Sequence, residues 1–379
     1  MNTDFTLKNC LRSAGHGITA AMLIGSYSVC VCAATGLGSL STLLCIWLCT
    51  LFSVGTKNKI FAPDAFLIVP VLFIIGSGNF PTLIVSVFAG SIIFLLLRKF
   101  LPGLKIPDSV FAGGGLALAF VATVLLTNLY FGIGSTGATA FDMLKSYRSL
   151  GFHPNFRGLL YGTVTLFAMI TYPFKFRKLN KYLPAEFMTL LIPLVMNLFL
   201  NPVSELTTIN EITNFRETEF RLFELSSVGD ISLPVLFRGS VSVALILFAY
   251  CNQKEDSPNF AFANTFNGLL TGIPVREHSI IKYDIISALT CFILSSAVIL
   301  LFPDLLQRIP MHCVGAMLIV SAWQSVPYKK LAAAFRENAL SALFCIALIF
   351  CVFLFKNVFY GVLMCFIIAF VQEQKNGKR

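Results

Sequence analysis

Charged side chains between apolar segments are the first candidates for chemistry in this chain. The stretch GLLTGIPVREHSIIKYDII, residues 268 to 286, places Arg276, Glu277 and His278 shortly after Pro274. An arginine can hold an anion, and a histidine or a carboxylate can carry a proton. In the alternative interpretation, these side chains lie in a solvated vestibule and bind nothing. The choice depends on the elements that surround them.

A carboxylate raises the same question earlier in the chain. Asp64 follows Pro63 in the apolar stretch KIFAPDAFLIVPVLFI, residues 59 to 74. An unpaired carboxylate is costly to bury, so this side chain needs a partner. It either caps the helix that follows or acts as a coupling acid for a proton or a cation. Arg276 can pair with Asp64 or with Glu277.

The composition makes the chain an integral membrane protein. Of its 379 residues, 56% are hydrophobic and only 12% are charged, which is more apolar surface than a soluble core covers. The apolar runs are continuous rather than alternating, which predicts helices of roughly 20 residues that satisfy their own backbone groups. The sequence therefore predicts an all-α polytopic membrane protein.

About fourteen segments are expected, some of them too short to span alone. Residues 141 to 156 have the spacing of an amphipathic helix that lies on the membrane interface. The candidate segments are residues 14–33, 37–54, 63–77, 80–97, 107–127, 156–173, 184–200, 231–250, 258–271, 274–283, 284–302, 310–326, 338–355 and 357–371.

The distribution of charge predicts the orientation. Basic loops collect on the cytoplasmic side of a membrane, and a cytoplasmic N-terminus places every basic loop there: Lys57 and Lys59, then residues 98–105, 175–182, 328–336 and the tail 375–379. The acidic loop 201–230 then falls outside. We expect a multi-pass plasma or bacterial inner membrane protein with both termini cytoplasmic. Topology and anionic lipid explain the net charge of +10, and no nucleic-acid motif is present.

An internal repeat is visible in the chain. LKIPDSVFAGGGLALAFV (104–121) and QRIPMHCVGAMLIVSAWQ (307–324) share a basic residue, Ile-Pro and a span rich in small residues. The predicted orientation gives the two spans opposite directions, which indicates inverted repeats. The expected divisions are a first repeat in 1–200, the acidic extracellular loop 201–230, a second repeat in 231–371 and a short cytoplasmic tail 372–379 without a regulatory domain.

Pro63 and Pro274 interrupt short apolar segments at corresponding points of the two repeats. Such broken segments mark the binding site of many transporters, because the N-terminus of a half-helix attracts anions. Proline suits the first turn of a helix, so Arg276, Glu277 and His278 are expected in the first turn of the second half-helix. The expected substrate-binding residues are Pro63, Asp64, Ala65, Phe66, Pro274, Val275, Arg276, Glu277, His278 and Ser279, with Asp64, Glu277 and His278 as coupling candidates.

Over nearly its whole length the chain resembles the sulfate permease (SulP) superfamily of anion transporters. The matching motifs are IPMHCVGAMLIVSAWQSVPYKKL (309–331), KIPDSVFAGGGLALAF (105–120), ANTFNGLLTGIPV (263–275) and APDAF (62–66). The resemblance implies a 7+7 inverted repeat with core and gate domains, and an anion held between segments 3 and 10, both short half-helices. It also implies elevator-like displacement of the core, usually in a homodimer.

The resemblance adds first-span contacts to the candidate site, and the chain departs from the family pattern at three points. Gly25 and Ser26, followed by Tyr27, stand where the family has Pro-Gln. After GIPV the chain reads REHSIIK, with Arg276 early and Ile281 where the family's arginine would stand. The acid often found in segment eight is missing from residues 241–253.

The expected function is secondary-active transport of a small anion such as sulfate, bicarbonate, chloride or a dicarboxylate. The alternatives are a nucleobase or other weakly acidic metabolite permease of the same fold, and a non-transporting membrane scaffold. No enzyme is expected, since no nucleophile with its base, metal cluster or cofactor loop is found. The expected cofactor list is empty apart from H+ or Na+ as a coupling ion, and the eleven cysteines are expected to pack as small apolar residues.

Overall fold

The computed structural model describes residues 7–56, 58–101, 104–136, 139–200, 208, 231–251, 259–355 and 357–376. These residues form fifteen α-helices and one two-stranded sheet. The prediction of a helical membrane fold is confirmed. The predicted acidic loop 201–230, apart from Thr208, and the end of the predicted tail lie outside the described residues.

The elements are numbered in chain order, and a single 3-10 turn, Leu179–Lys181, stands between the seventh and eighth helices. They are α1 (Leu7–Thr35), α2 (Ser39–Ser53), β1 (Lys59–Pro63), α3 (Ile68–Ser77), α4 (Phe80–Phe100), α5 (Asp108–Phe131), α6 (Ala140–Leu150), α7 (Phe156–Lys175), α8 (Ala185–Leu200), α9 (Leu233–Cys251), α10 (Asn259–Thr271), β2 (Val275–Ser279), α11 (Ile285–Leu301), α12 (Pro303–Gln307), α13 (Met311–Gln324), α14 (Tyr328–Phe355) and α15 (Val358–Asn376).

Helix length and end chemistry follow from the sequence. By length and composition, α1, α4, α5 and α9 can each cross a membrane. Helix α4 shows the usual signals: the Asn79 side chain accepts a hydrogen bond from the Thr82 N–H, and Arg98 and Lys99 lie in the last turn. Large apolar side chains such as Phe174 and Phe199 are more than 80% exposed, which suits a surface that faces lipid rather than water.

The helices pack as two bundles. The first contains α1 to α4, α9 to α11 and the sheet, and the second contains α5 to α8 with α13 to α15. Within the second bundle, α5 and α13, the two spans that the sequence repeat relates, pack directly against each other. A Cβ added at Gly315 of α13 would lie 2.8 Å from the backbone N of Tyr130, so only glycine allows this approach. The seam between the bundles runs where α1, α3 and α9 meet α5, α8, α13 and α15.

The sheet corrects one sequence-based expectation. Residues 274–283 were expected to be helical, with Arg276 in the first turn of a half-helix, but Val275–Ser279 is strand β2. It pairs antiparallel with β1. Two extended segments from opposite halves of the chain satisfy each other's backbone groups, which an apolar environment requires. A local helix pattern cannot reveal such a partner.

The helices beside the strands differ from each other. Helix α3 has 10 residues, too few to cross a bilayer alone. Helix α11 has 17 residues and begins at Ile285, well past β2. The interfacial-helix prediction for 141–156 coincides with α6 over most of its length, and the chain leaves α6 at Gly151, whose φ is +83°.

Candidate functional site

The sheet places its charged residues on two opposite faces. Successive side chains of a strand alternate, and cross-strand partners share a face. Ala62 lies opposite Arg276, and Ile60 lies opposite His278, so Arg276 and His278 share one face. Glu277 points to the other face. Arg276, Glu277 and His278, which are expected to form one site, are therefore divided between the two faces of the sheet.

Arg276 and Asp64 form a buried ion pair at the end of the sheet. Nη1 of Arg276 lies 3.0 Å from Oδ2 of Asp64, and the exposed fractions of the side chains are 20% and 3%. Oδ1 of Asp64 accepts a hydrogen bond from the Phe66 N–H at 2.7 Å, and its carbonyl oxygen accepts one from Ile68 N–H at 3.1 Å. Asp64 thus holds the turn that leads into α3 and at the same time binds the guanidinium. It is not the N-cap of α3, because that position is Leu67, and its role as a coupling acid stays a prediction.

Ser325 connects the guanidinium to the second bundle. Nη1 of Arg276 also donates to Oγ of Ser325 at 3.1 Å. Ser325 follows the last turn of α13, so this hydrogen bond crosses the seam. Within the described part of the chain, both hydrogen bonds of the guanidinium use Nη1, which leaves Nη2 and Nε on the partly exposed side chain as donors for a ligand.

Tyr250 contacts both members of the ion pair. The guanidinium carbon of Arg276 lies 4.6 Å from the centre of the Tyr250 ring, within cation–π range. The Tyr250 hydroxyl lies 3.4 Å from Oδ1 of Asp64. Phe66 stacks on the same ring with centres 6.3 Å apart. Sequence reasoning missed Tyr250 and Ser325, because each reaches the site from a different helix and neither carries a charge.

A second ion pair occupies the opposite face of the sheet. Nζ of Lys59 lies 2.6 Å from Oε2 of Glu277, and Glu277 is only 7% exposed. This diagonal cross-strand pair neutralises Glu277 away from Arg276. The two pairs balance the four charges of this region, so neither face carries a net charge from them.

The first helix contributes one ring to the site. The rings of Tyr27 and His278 are 5.0 Å apart at 37°, and the Tyr27 hydroxyl lies 3.4 Å from both Glu186 and Ser321 of the second bundle. Its neighbours Gly25 and Ser26 line an apolar cavity of 260 Å³ between α1, α8 and α11. Tyr27 therefore meets the sheet, whereas Gly25 and Ser26 line a cavity beside it.

The remaining candidate residues are placed around these pairs. Pro63 lies opposite Val275 where the strands meet, and Ala65 is buried in the turn before α3. Ser279 is exposed at the far end of β2. Pro274 immediately precedes β2 rather than opening a helix.

The N-terminus of α11 is occupied by its own cap. The Asp284 side chain accepts hydrogen bonds from Ser287 N–H at 2.9 Å and from the Ser13 hydroxyl at 2.6 Å. Lys282 lies 3.4 Å from the same carboxylate, although an i, i+2 pair does not meet on a helix; both residues precede the helix. Two helix N-termini are expected at the substrate site. That of α3 is adjacent to the Arg276–Asp64 pair, whereas α11 begins only at Ile285, past the end of β2.

Cysteines and acidic groups do not assemble into a metal centre in the described residues, where no group of three His, Cys, Asp or Glu side chains could hold an ion. All eleven cysteines lie in that part of the chain, and none is in a disulfide.

Comparison with known proteins identifies the fold. No family model and no curated protein matches the sequence. Among solved structures, the transmembrane domain of the cyanobacterial bicarbonate transporter BicA aligns over 96% of this chain and 98% of its own, with a TM-score of 0.69 at 15% identity. SLC26A9 aligns over 97% of this chain and 66% of its own, with a TM-score of 0.72 at 12% identity. The murine Slc26a9 anion transporter in its inward-facing state aligns over 99% and 70%, with a TM-score of 0.71 at 12% identity. The chain has the fold of these membrane domains.

Proposed function

We propose that this protein is a secondary-active transporter of a small anion, and that Arg276 binds the substrate. The observation that carries the proposal is a partly buried arginine at the seam of two helix bundles, hydrogen-bonded through one nitrogen while other donors remain for a ligand. The similar structures include those of a bicarbonate transporter and of an anion transporter. A shared fold alone does not determine a function, so the proposal depends on Arg276.

The substrate in this proposal lies between β2, the turn before α3 and the end of α13. Nη2 and Nε of Arg276 supply two parallel donors, which suit an oxyanion. The N-terminus of α3 adds the positive end of a helix dipole close to Asp64. The aromatic rings of Tyr27, Phe66 and Tyr250 limit the access of water on the same side.

The seam separates the part that moves from the part that stays. We propose that the first bundle carries the substrate past the second in an elevator-like displacement. The hydrogen bond from Arg276 to Ser325 and those from Tyr27 to Glu186 and Ser321 cross the seam. These contacts must break during the displacement, together with the hydrogen bond from the Thr19 hydroxyl to the Tyr182 carbonyl, and each costs little to exchange for water.

Asp64 is the coupling acid in this proposal. It contacts Arg276 directly, so neutralising Asp64 with a proton or a sodium ion changes the charge that an incoming anion meets. Glu277 is paired with Lys59 on the opposite face, and His278 packs on Tyr27. Their coupling roles would have to act through the sheet rather than at the guanidinium.

Uptake into proteoliposomes tests the proposal. Radiolabelled sulfate, bicarbonate and chloride are offered separately, with and without an imposed pH or sodium gradient. We expect the wild type to accumulate at least one anion, Arg276→Gln to abolish uptake and Asp64→Asn to remove its dependence on the gradient.

Arg238→Gln is the matched control. Arg238 also lies over a tyrosine ring, with its guanidinium carbon 5.9 Å from the centre of Tyr360, but it is at the other end of α9. Its replacement should leave uptake unchanged. If none of the anions enters the vesicles, or if Arg276→Gln transports normally, the anion assignment is wrong, and nucleobases become the next substrates to test.

The organisation predicted from the sequence is part of the same proposal. We propose two inverted repeats within 1–200 and 231–371, a homodimer and two cytoplasmic termini in a plasma or bacterial inner membrane. Impermeant labelling of single cysteines introduced beside Lys178 and beside Phe152 tests the orientation. The first site should be labelled only from the cytoplasmic side and the second only from outside.

A further inference from the structure

We infer that Tyr250 is a positioning residue that fixes the plane of the Arg276 guanidinium, and so determines how tightly an anion binds. This inference rests on the proposed function. It starts from the contacts of a single ring, which meets the guanidinium with its face at 4.6 Å and the Asp64 carboxylate with its hydroxyl at 3.4 Å.

The ring of Tyr250 is itself fixed by two neighbours. Phe66 lies 6.3 Å away at 25°, in a stacked arrangement, and Phe111 lies 6.3 Å away at 79°, edge to face. Phe66 belongs to the turn before α3, and Phe111 belongs to α5 across the seam. A ring held from two sides restricts what lies on its face.

Arg276 needs this restriction. Its described hydrogen bonds both leave from Nη1, so they hold the planar group at one corner, and the face of the Tyr250 ring supports the rest of the plane. An arginine side chain has about 2 kcal/mol of rotamer entropy to lose on binding. The Tyr250 face orients the plane beforehand, so that Nη2 and Nε are presented to a ligand in a constant direction.

The ring is expected to matter more than the hydroxyl. A separation of 3.4 Å is long for an O–H···O hydrogen bond, whereas cation–π contacts are strongest when both partners are desolvated. Tyr250→Phe keeps the ring, and Tyr250→Leu removes it. A cation–π contact between the exposed and the desolvated limits corresponds to roughly fivefold to thirtyfold in affinity, so Tyr250→Leu should weaken anion binding by about that factor and Tyr250→Phe by less than about threefold.

The experiment measures the thermal stabilisation of purified protein by sodium bicarbonate, sodium sulfate and sodium chloride, titrated separately. Tyr161→Leu is the matched control, because it removes a buried tyrosine that packs on Cys313 and Met196 instead. We expect it to lower stability without changing anion affinity. Wild-type affinity in Tyr250→Leu, or an equal loss in Tyr250→Phe, would overturn the positioning role of the ring.

A ligand-free measurement separates this inference from the proposed function. If no anion stabilises the wild type, the proposed function fails, but the contact between Tyr250 and Arg276 can still be measured. The melting temperatures of Tyr250→Leu, Arg276→Gln and the double variant form a cycle. Losses that do not add support the positioning role, since the ring then acts through the guanidinium, and additive losses refute it.

Discussion

Removing one charge of the Arg276–Asp64 pair should cost more than removing both. Asp64 is 3% exposed, and without the arginine it keeps only the Phe66 N–H and the distant Tyr250 hydroxyl as partners. Breaking a buried pair on one side costs about 3–5 kcal/mol, because it leaves an uncompensated charge. Arg276→Gln should therefore be strongly destabilising. Arg276→Gln combined with Asp64→Asn removes both charges and should recover most of the loss.

Thiol accessibility provides the assay. Seven of the eleven cysteines are buried, so a dye that becomes fluorescent on reaction with thiols reports unfolding in detergent. At roughly 2–4 °C per kcal/mol, the single variant should melt on the order of 10 °C below the wild type. The double variant should melt within a few degrees of it.

Two results would refute the reasoning. If Arg276→Gln melts with the wild type, Asp64 is solvated or paired elsewhere, and the buried pair does not exist. If the double variant loses the sum of the two single losses, the residues are not coupled. Arg238→Gln, which removes an arginine near the other end of the same helix as Tyr250, controls for the loss of a positive charge.

Two further predictions concern packing and capping. A Cβ at Gly158 would lie 2.0 Å from Nε2 of His312, so Gly158→Ala should lower the melting temperature. Gly15→Ala, which has no atom within 4 Å of the new Cβ, should not, and a Gly158→Ala protein as stable as the wild type would contradict the close contact of α7 and α13. Asp284→Ala removes the hydrogen bonds that the cap of α11 accepts from Ser287 N–H and from the Ser13 hydroxyl, so it should lower stability by about 0.5–2 kcal/mol. A variant that melts at the same temperature as the wild type would contradict this cap.

The helices could be predicted because their signals are local. The run expected at 258–271 is α10, Asn259–Thr271, and the run expected at 310–326 is α13, Met311–Gln324. In both cases a proline or glycine near each end of the helix indicates where it begins and stops, and the apolar run between them indicates that the segment is helical. The fold resemblance could also be drawn from four short motifs in the right order, although no family model matches the whole sequence.

The strands could not be predicted, because their stability comes from residues far along the chain. VREHS has neither the alternation nor the β-branched content of a typical strand. It forms one because KIFAP is available to pair with it. The expected helical turn would have placed Glu277 beside Arg276, whereas the strand places it on the opposite face.

The site could be predicted only in part. Asp64 and Arg276 were identified as potential partners because a charge in an apolar segment needs compensation, and they are in contact. Tyr250 carries no such signal, since an aromatic residue near the end of an apolar helix is common. Ser325 lies within the motif 309–331, one of those that carry the family resemblance, but nothing in this motif indicates a partner on β2.

The pairing of β1 with β2 also determines the order in which this protein can assemble. Asp64 and Arg276 are 212 residues apart in the chain, so β1 is synthesised long before the strand that satisfies its backbone groups. Until then, the backbone groups that β1 presents to β2 need other partners, because hydrocarbon offers its N–H and C=O groups none. Closing so long a loop is slow, which makes the completion of the site a late step of biogenesis. The first half of the chain, inserted alone, therefore cannot form the Arg276–Asp64 pair.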